Sequence, residues 1–249
     1  MHTRPLFRKP VVFPSSEVIA AESTRHGGVS PPPYASLNLG KHTADAPENV
    51  QENRRRFCEA VGFSPEQLAY SHQVHGVEVC VVEAPGAYSG YDALICCRPG
   101  IVLAVSVADC APVLVYDTRH RIVAAVHAGW RGAVAGIAWS TLQLMAEQFG
   151  TRGTDCLVYV GTCIDEDNFE VGPEVAAQFD EAFVRFDASR GRYCVDLKGA
   201  LVAQLRSASV PPEQIEVSPF STVLHAEDYF SHRKSGGQTG RMLGVIGLK

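Results

Sequence analysis

The chain has 249 residues, 46% of them apolar, and a formal net charge of −5. That content suffices for a full core without disulfide staples, and no basic stripe or charge run points to nucleic acid or a membrane surface. No apolar run approaches the roughly 18–20 residues of a transmembrane helix, and the opening Met1-His2-Thr3-Arg4-Pro5 lacks a signal peptide's apolar core.

In chain order, Val11–Phe13 and Val18–Ala21 read as short opening strands. Thr24–Gly40 is too rich in glycine and proline for regular structure. A loop of that length in a compact domain is expected to be functional, with Arg25, His26, Tyr34 and Asn38 as its polar groups. Pro47–Val61 reads as a helix closed by Gly62. Ala69–Gly76 leads into a strand over Val77–Val82, and Asp92–Ile95 and Ile101–Val107 are further strands. Val113–Asp117, the polar turn Thr118–Arg121 and Ile122–Val126 carry a hairpin signal. Gly132–Phe149 is a helix ended by Gly150, and Cys156–Val160 is a strand. Glu174–Phe183 and Leu197–Ser207 read as helices, and Val217 and Met242–Leu248 close the sheet. There is no regular βαβ alternation, no internal repeat and no low-complexity linker. The expectation is a single mixed α/β domain over residues 1–249.

The eight cysteines contain no Cys-x-x-Cys, which argues against a structural zinc ribbon. They read as free thiols of a cytoplasmic protein. Two of the chain's segments carry candidate chemistry: Ala108-Asp109-Cys110 and His127-Ala128-Gly129-Trp130-Arg131-Gly132. Centring the hairpin turn between Thr118 and Arg119 pairs Val115 with Ile122, Val113 with Ala124, and Cys110 with His127. Opposed residues have Cα atoms roughly 4.5–5.5 Å apart, so two side chains on one face can share an ion. Taken singly, Cys110 is an ordinary buried thiol and His127 an ordinary hydrogen-bonded core histidine; their opposition points to a metal or catalytic pair. The third ligand is His75 or His72, and spacing does not choose between them. One Cys with two His suits zinc, with copper the alternative. Three protein ligands leave a fourth position, where zinc brings a bound water's pKa toward ~7. Asp109 is expected to point away from Cys110 and to orient a histidine. Arg131, at the start of a helix, suggests an anion site. The tail Tyr229–Arg241 is a Gly-rich basic loop, in which Lys234 reads as a surface residue.

These residues resemble the YfiH family, also called the laccase-domain or polyphenol oxidase family. The likeness runs along nearly the whole chain, through Arg25-His26-Gly27-Gly28-Val29-Ser30, Ser36-Leu37-Asn38-Leu39-Gly40, Gln73-Val74-His75-Gly76, Ala108-Asp109-Cys110, His127-Ala128-Gly129-Trp130-Arg131-Gly132, Phe169-Glu170-Val171-Gly172 and Thr239-Gly240-Arg241. The resemblance implies a zinc site, which is also the catalytic set, on His75, Cys110 and His127, and so selects His75 over His72. It implies a layered α/β sandwich of mixed β-sheets flanked by helices, shared with a bacterial toxin's deamidase domain. The implied activity is phosphorolysis of adenosine, inosine, guanosine and methylthioadenosine, with deamination of adenosine. The implied partners are purine nucleosides and phosphate, and the protein is expected to be a monomer or small homo-oligomer. Substrate contacts fall to Arg25, Asn38, Arg131 and Arg241, with Arg25 and Arg131 assigned to phosphate. Two stretches depart from the family's pattern: Gly161-Thr162-Cys163-Ile164-Asp165-Glu166, expected to reshape the pocket rim, and Ser221-Thr222. Two other activities compete. One is peptidoglycan editing, in which the same metal site cleaves an amide on a muramyl nucleotide. The other is copper-dependent laccase oxidation, which calls for many histidines in His-x-His pairs; this chain has nine histidines and no such pair.

Overall fold

The structure, a computed structural model, describes residues 4–249. Two six-stranded sheets form its centre. The first runs, in spatial order, Phe7–Arg8, Val18–Ser23, Met242–Leu248, Val102–Val107, Leu68–His72 and Gly86–Ser89. The second runs Ile215–Val217, Cys156–Val160, Ala111–Asp117, Ile122–Ala128, Ala93–Cys96 and Val79–Val81. Both mix parallel and antiparallel pairs. A third sheet of three short strands, Glu170–Val171, Arg192–Val195 and Val184–Asp187, lies to one side.

The period-two alternation of the central strands sets the layers. Leu103 and Val105 of the first sheet meet Leu114, Tyr116, Val123 and Ala125 of the second in one buried cluster. Their strand neighbours face outward: Val102 and Ala104 pack with Phe57 and Val61 of the Pro47–Val61 helix. On the far side, Val113, Val115, Ala124 and Val126 pack against Ile137, Leu142 and Met145 of the Ile137–Phe149 helix and Leu201 and Leu205 of the Leu197–Ser207 helix. Helix, sheet, sheet, helix is the layered α/β sandwich expected.

The hairpin forms, but its register differs by two residues from the expected one. Val115 pairs with Ala124, Val113 with Val126 and Pro112 with His127. Asp117 is the cause: its Oδ1 accepts from the N–H groups of Arg119 (2.9 Å) and His120 (3.0 Å), and its Oδ2 holds His120 Nδ1 at 2.9 Å. These bonds wrap the turn around Arg119–His120. Cys110 therefore stands just before the strand, two residues from His127's partner. A shift of two keeps the same face.

Other elements differ as well. Val11–Phe13 is irregular, and the opening strand is Phe7–Arg8. The Gly132–Phe149 helix is broken at Gly136 (φ 81°), separating a short turn, Trp130–Val134, from Ile137–Phe149. Glu174–Phe183 is a four-residue helix, Pro173–Ala176, followed by a 3-10 turn that Asp180 caps through the Ala182 N–H. Local capping there outcompetes the helical pattern.

Pro112, His127's partner, is wedged between two glycines. A Cβ on Gly161 would stand 2.6 Å from its Cγ, and one on Gly244, across the sheet interface, 2.8 Å from its Cβ. Gly244→Ala is therefore predicted to destabilise the fold by about 1–3 kcal/mol. Its denaturant midpoint would fall, whereas an unchanged midpoint would contradict this packing.

Candidate metal centre

Cys110, His127 and His75 meet at one end of the two large sheets, with ligand atoms that all lie within 4.8 Å of one another. Each arrives by a different route. His127 is the next-to-last residue of the Ile122–Ala128 strand and is buried. Cys110 directly precedes the Ala111–Asp117 strand. His75 lies on a turn beyond the Leu68–His72 strand, with its backbone in the left-handed region at φ 62°. A non-glycine residue held there costs of order 1–3 kcal/mol and persists only when its surroundings enforce it.

Asp92 supplies that enforcement. Its carboxylate accepts from the backbone N–H groups of Val74 (3.1 Å), His75 (3.0 Å) and Gly76 (2.8 Å). It also accepts from His127 Nδ1 at 2.7 Å, and its own carbonyl takes the His127 N–H at 2.7 Å. A carboxylate only accepts, so Nδ1 carries the proton and Nε2 is the ring nitrogen free to bind a metal. Burial alone would raise the Asp92 carboxyl; the bonds from His127, Gly76 and Val74 outweigh it and hold it below its ordinary value.

Gln73 anchors the same turn from the other side. Its Nε2 donates to the Ser106 carbonyl (2.8 Å) and its Oε1 accepts the Ser106 N–H (2.7 Å), closing the ladder beside the Val102–Val107 strand. Gly129 is needed bare: a Cβ there would stand 3.0 Å from Cys110 Sγ and 3.1 Å from His75 Cδ2. The glycine of His-Ala-Gly-Trp thus lets the cysteine and the more distant histidine close together.

Burial pushes the Cys110 thiol up, but the charge of His127 and hydrogen bonds with His127 and His75 reverse this and bring it to about 6. The site therefore favours thiolate, the form that binds metal. Burial pushes His127 down, and Cys110 and Asp92 together push it up. One sulfur and two imidazole nitrogens, with the second nitrogen of His127 tied to a carboxylate, fit a metal ion with bonds of about 2.0–2.3 Å. Among the described residues no other three such side chains converge in this way.

The cluster opens into a cavity of about 420 Å³, within the range of small-molecule sites. Its walls include Trp130 and Phe169 as flat apolar faces, Ile164, and the cations Lys41, Arg54, Arg233 and Arg241. Of the anticipated substrate contacts, only Arg241 is on this wall. Arg25 donates instead to the Ala35 (2.9 Å) and Ala226 (2.7 Å) carbonyls and stacks on Phe230. Asn38 is fully buried and organises backbone, accepting from the Gly40 and Arg241 N–H groups at 3.0 Å each. Arg131 is exposed and lies over the Trp130 ring. His72 also lines the cavity, but meets His42 edge-to-face with centroids 4.6 Å apart.

Asp109 orients no histidine. It accepts from the Thr222 hydroxyl and, at 2.7 Å, from the Arg233 N–H, so it pins the tail over the cavity. Of Gly161–Glu166, only Ile164 reaches the wall. Asp92, Gln73, Lys41 and Arg54 had no role in the sequence reading. Asp92 gave a faint signal, an acid opening an apolar strand; nothing local marked Arg54.

The layers and the cluster define a mixed α/β protein with one three-ligand metal-type site in a small-molecule cavity. The chain belongs to the YfiH, or laccase-domain, family: the family model described as multi-copper polyphenol oxidoreductase laccase matches residues 19–249. A Deinococcus radiodurans protein named purine nucleoside phosphorylase is 42% identical over 98% of this chain and 93% of its own length. The Escherichia coli K12 protein named purine nucleoside phosphorylase YfiH is 40% identical over 93% of this chain and 94% of its own. The crystal structure of YlmD from Geobacillus stearothermophilus superposes with a TM-score of 0.93, at 32% identity, covering 100% of this chain and 98% of that one.

Asp92→Asn, which keeps size but loses the charge, is predicted to weaken divalent-metal binding about 10–100-fold. Competition with a chromophoric chelator measures it; affinity equal to wild type would remove Asp92 from the site's construction.

Proposed function

We propose that this protein is a zinc-dependent purine nucleoside phosphorylase, with His75, Cys110 and His127 as its metal ligands and catalytic centre. The observation that carries the proposal is a His–Cys–His cluster opening into a cavity whose walls join flat apolar faces to cations that form no ion pair among the described residues. That combination suits a purine nucleoside together with an oxyanion. The full-length relatives named purine nucleoside phosphorylase make the reading specific.

In phosphorolysis a phosphate oxygen bonds to the ribose anomeric carbon. The bond from that carbon to the purine nitrogen breaks, its electron pair leaves with the base, and the base takes up a proton. A bound zinc would supply a Lewis acid that polarises a substrate heteroatom. The protein's own groups do the rest. Asp92 fixes the His127 ring and the His75 turn before substrate arrives, so no reorganisation is needed during reaction. Trp130 and Phe169 offer faces for the planar base and displace water from it.

Zinc is the proposed metal because the donor set is one sulfur and two nitrogens in a single site. The many histidine ligands of a multicopper oxidase have no counterpart among the described residues. Adenosine deamination and methylthioadenosine phosphorolysis are proposed as further activities of the same centre. Among the described residues no helix is long and apolar enough to cross a membrane, and all eight cysteines are free thiols. A reducing cytoplasm is the proposed location.

Zinc-loaded protein with inosine is predicted to release hypoxanthine only when phosphate is present, and Cys110→Ala to lower kcat/KM by more than about a thousandfold. Ammonia release from adenosine in phosphate-free buffer tests the deaminase activity. Full turnover by Cys110→Ala, or no base release from any purine nucleoside, would overturn the proposal.

A further inference from the structure

We infer that Lys41, Arg54 and Arg241 form an oxyanion subsite of the cavity, and that inorganic phosphate occupies it. As a role for a co-substrate, this rests on the phosphorolysis reading above; as a binding site, it stands on geometry.

Arg54 is the centre of the cradle. It lies on the Pro47–Val61 helix, is only 7% exposed and lines the cavity. Its Nε donates to the Leu39 carbonyl at 2.9 Å. Its two terminal nitrogens have no acceptor among the described residues. A guanidinium so deeply placed normally meets a carboxylate; this one meets none. Its charge lies instead 4.9 Å from the Tyr70 ring centroid.

Each of the other two cations shares a partner residue with Arg54, Lys41 through Tyr70 and Arg241 through Leu39. Lys41 Nζ lies 4.3 Å from the Tyr70 ring centroid and donates to the Tyr70 hydroxyl. Arg241 bonds through its backbone to both sides of the segment that receives Arg54: its N–H donates to Asn38 Oδ1, and its carbonyl accepts from the Leu39 N–H, each at 3.0 Å. Among the described residues the Arg241 guanidinium donates only to the Thr239 and Gly240 carbonyls. Three cations that line one cavity are therefore carried by or bonded to one backbone segment, Asn38–Lys41, and none pairs with a carboxylate among the described residues. This occurs in a protein whose net charge is −5.

The cradle and the metal cluster line the same cavity. Burial lowers the pKa of Arg241, while the nearby Cys110 and Asp109 act against that shift. Fork-shaped guanidinium groups and a lysine point charge match the tetrahedral oxygens of phosphate. Asn38 is then a positioning residue: it holds the Gly40 turn and the Arg241 backbone.

Equilibrium dialysis of radiolabelled inorganic phosphate against the zinc-loaded protein, without nucleoside, tests the subsite. Wild type is expected to bind one phosphate. Arg54→Gln and Lys41→Gln are each expected to weaken binding at least about tenfold, and Arg54→Lys to recover part of the loss. Lys41 is exposed, so its variant remains informative if Arg54→Gln fails to fold. In turnover, Lys41→Gln should raise the KM for phosphate while leaving the KM for inosine within about twofold. Phosphate binding without phosphorolysis would keep the subsite and defeat the functional reading. Phosphorolysis with an unchanged phosphate KM in both glutamine variants would do the reverse. The subsite is also overturned if wild type binds no free phosphate but retains inosine 5′-monophosphate through these residues, because the cradle would then read a nucleotide's own phosphate.

Discussion

One buried carboxylate holds the candidate centre together. Asp92 directly precedes the Ala93–Cys96 strand of the second sheet, yet three of its four side-chain bonds go to the backbone of a turn that leaves the first sheet. The fourth goes to the His127 ring of the second sheet. Charge-assisted bonds of this kind contribute roughly 1.5–3 kcal/mol each, enough to hold His75 in a left-handed conformation that would otherwise relax. Both histidines thus owe their placement to the same two oxygens. Cys110 reaches them because Gly129 leaves room and because Pro112 fixes the start of its strand between the sheets.

The same end of the sandwich carries a second arrangement built on different physics. Arg54, Lys41 and Arg241 are held by backbone carbonyls, an aromatic ring and a buried asparagine instead of opposite charges. Cations anchored in this way keep their full charge for a ligand. Metal cluster and cationic cradle line one cavity. The long Thr24–Gly40 segment ties the cradle to the fold through Asn38 and Leu39. Asn53 on the first helix binds Val29, Ser30, Ser36 and Asn38, giving an irregular loop fixed bonds where no ladder exists.

Much of this was legible in the sequence. Alternating β-branched strands gave the sheets, and the hairpin placed Cys110 and His127 on one face. The register error of two residues left that face intact because strand side chains repeat every two positions. Asp117 caused the slip by bonding the turn's N–H groups, an effect of one side chain that periodicity does not register. What stayed hidden was long-range. Arg25 stands beside Gly27-Gly28 and Arg54 opens the helical run Arg54-Arg55-Arg56; only the fold shows that Arg25 bonds carbonyls while Arg54 faces the cavity. Asp92 stands 35 residues from His127, so no spacing rule connects them, and Asp109, adjacent to a ligand, was the natural but mistaken choice for its role.

X-ray absorption at the zinc edge of the loaded protein tests the central claim most directly. The account predicts one zinc per chain with one sulfur at about 2.3 Å and two imidazole nitrogens at about 2.0–2.1 Å, and loss of the sulfur shell in Cys110→Ala. A zinc shell without sulfur, or one unchanged by that substitution, would contradict it.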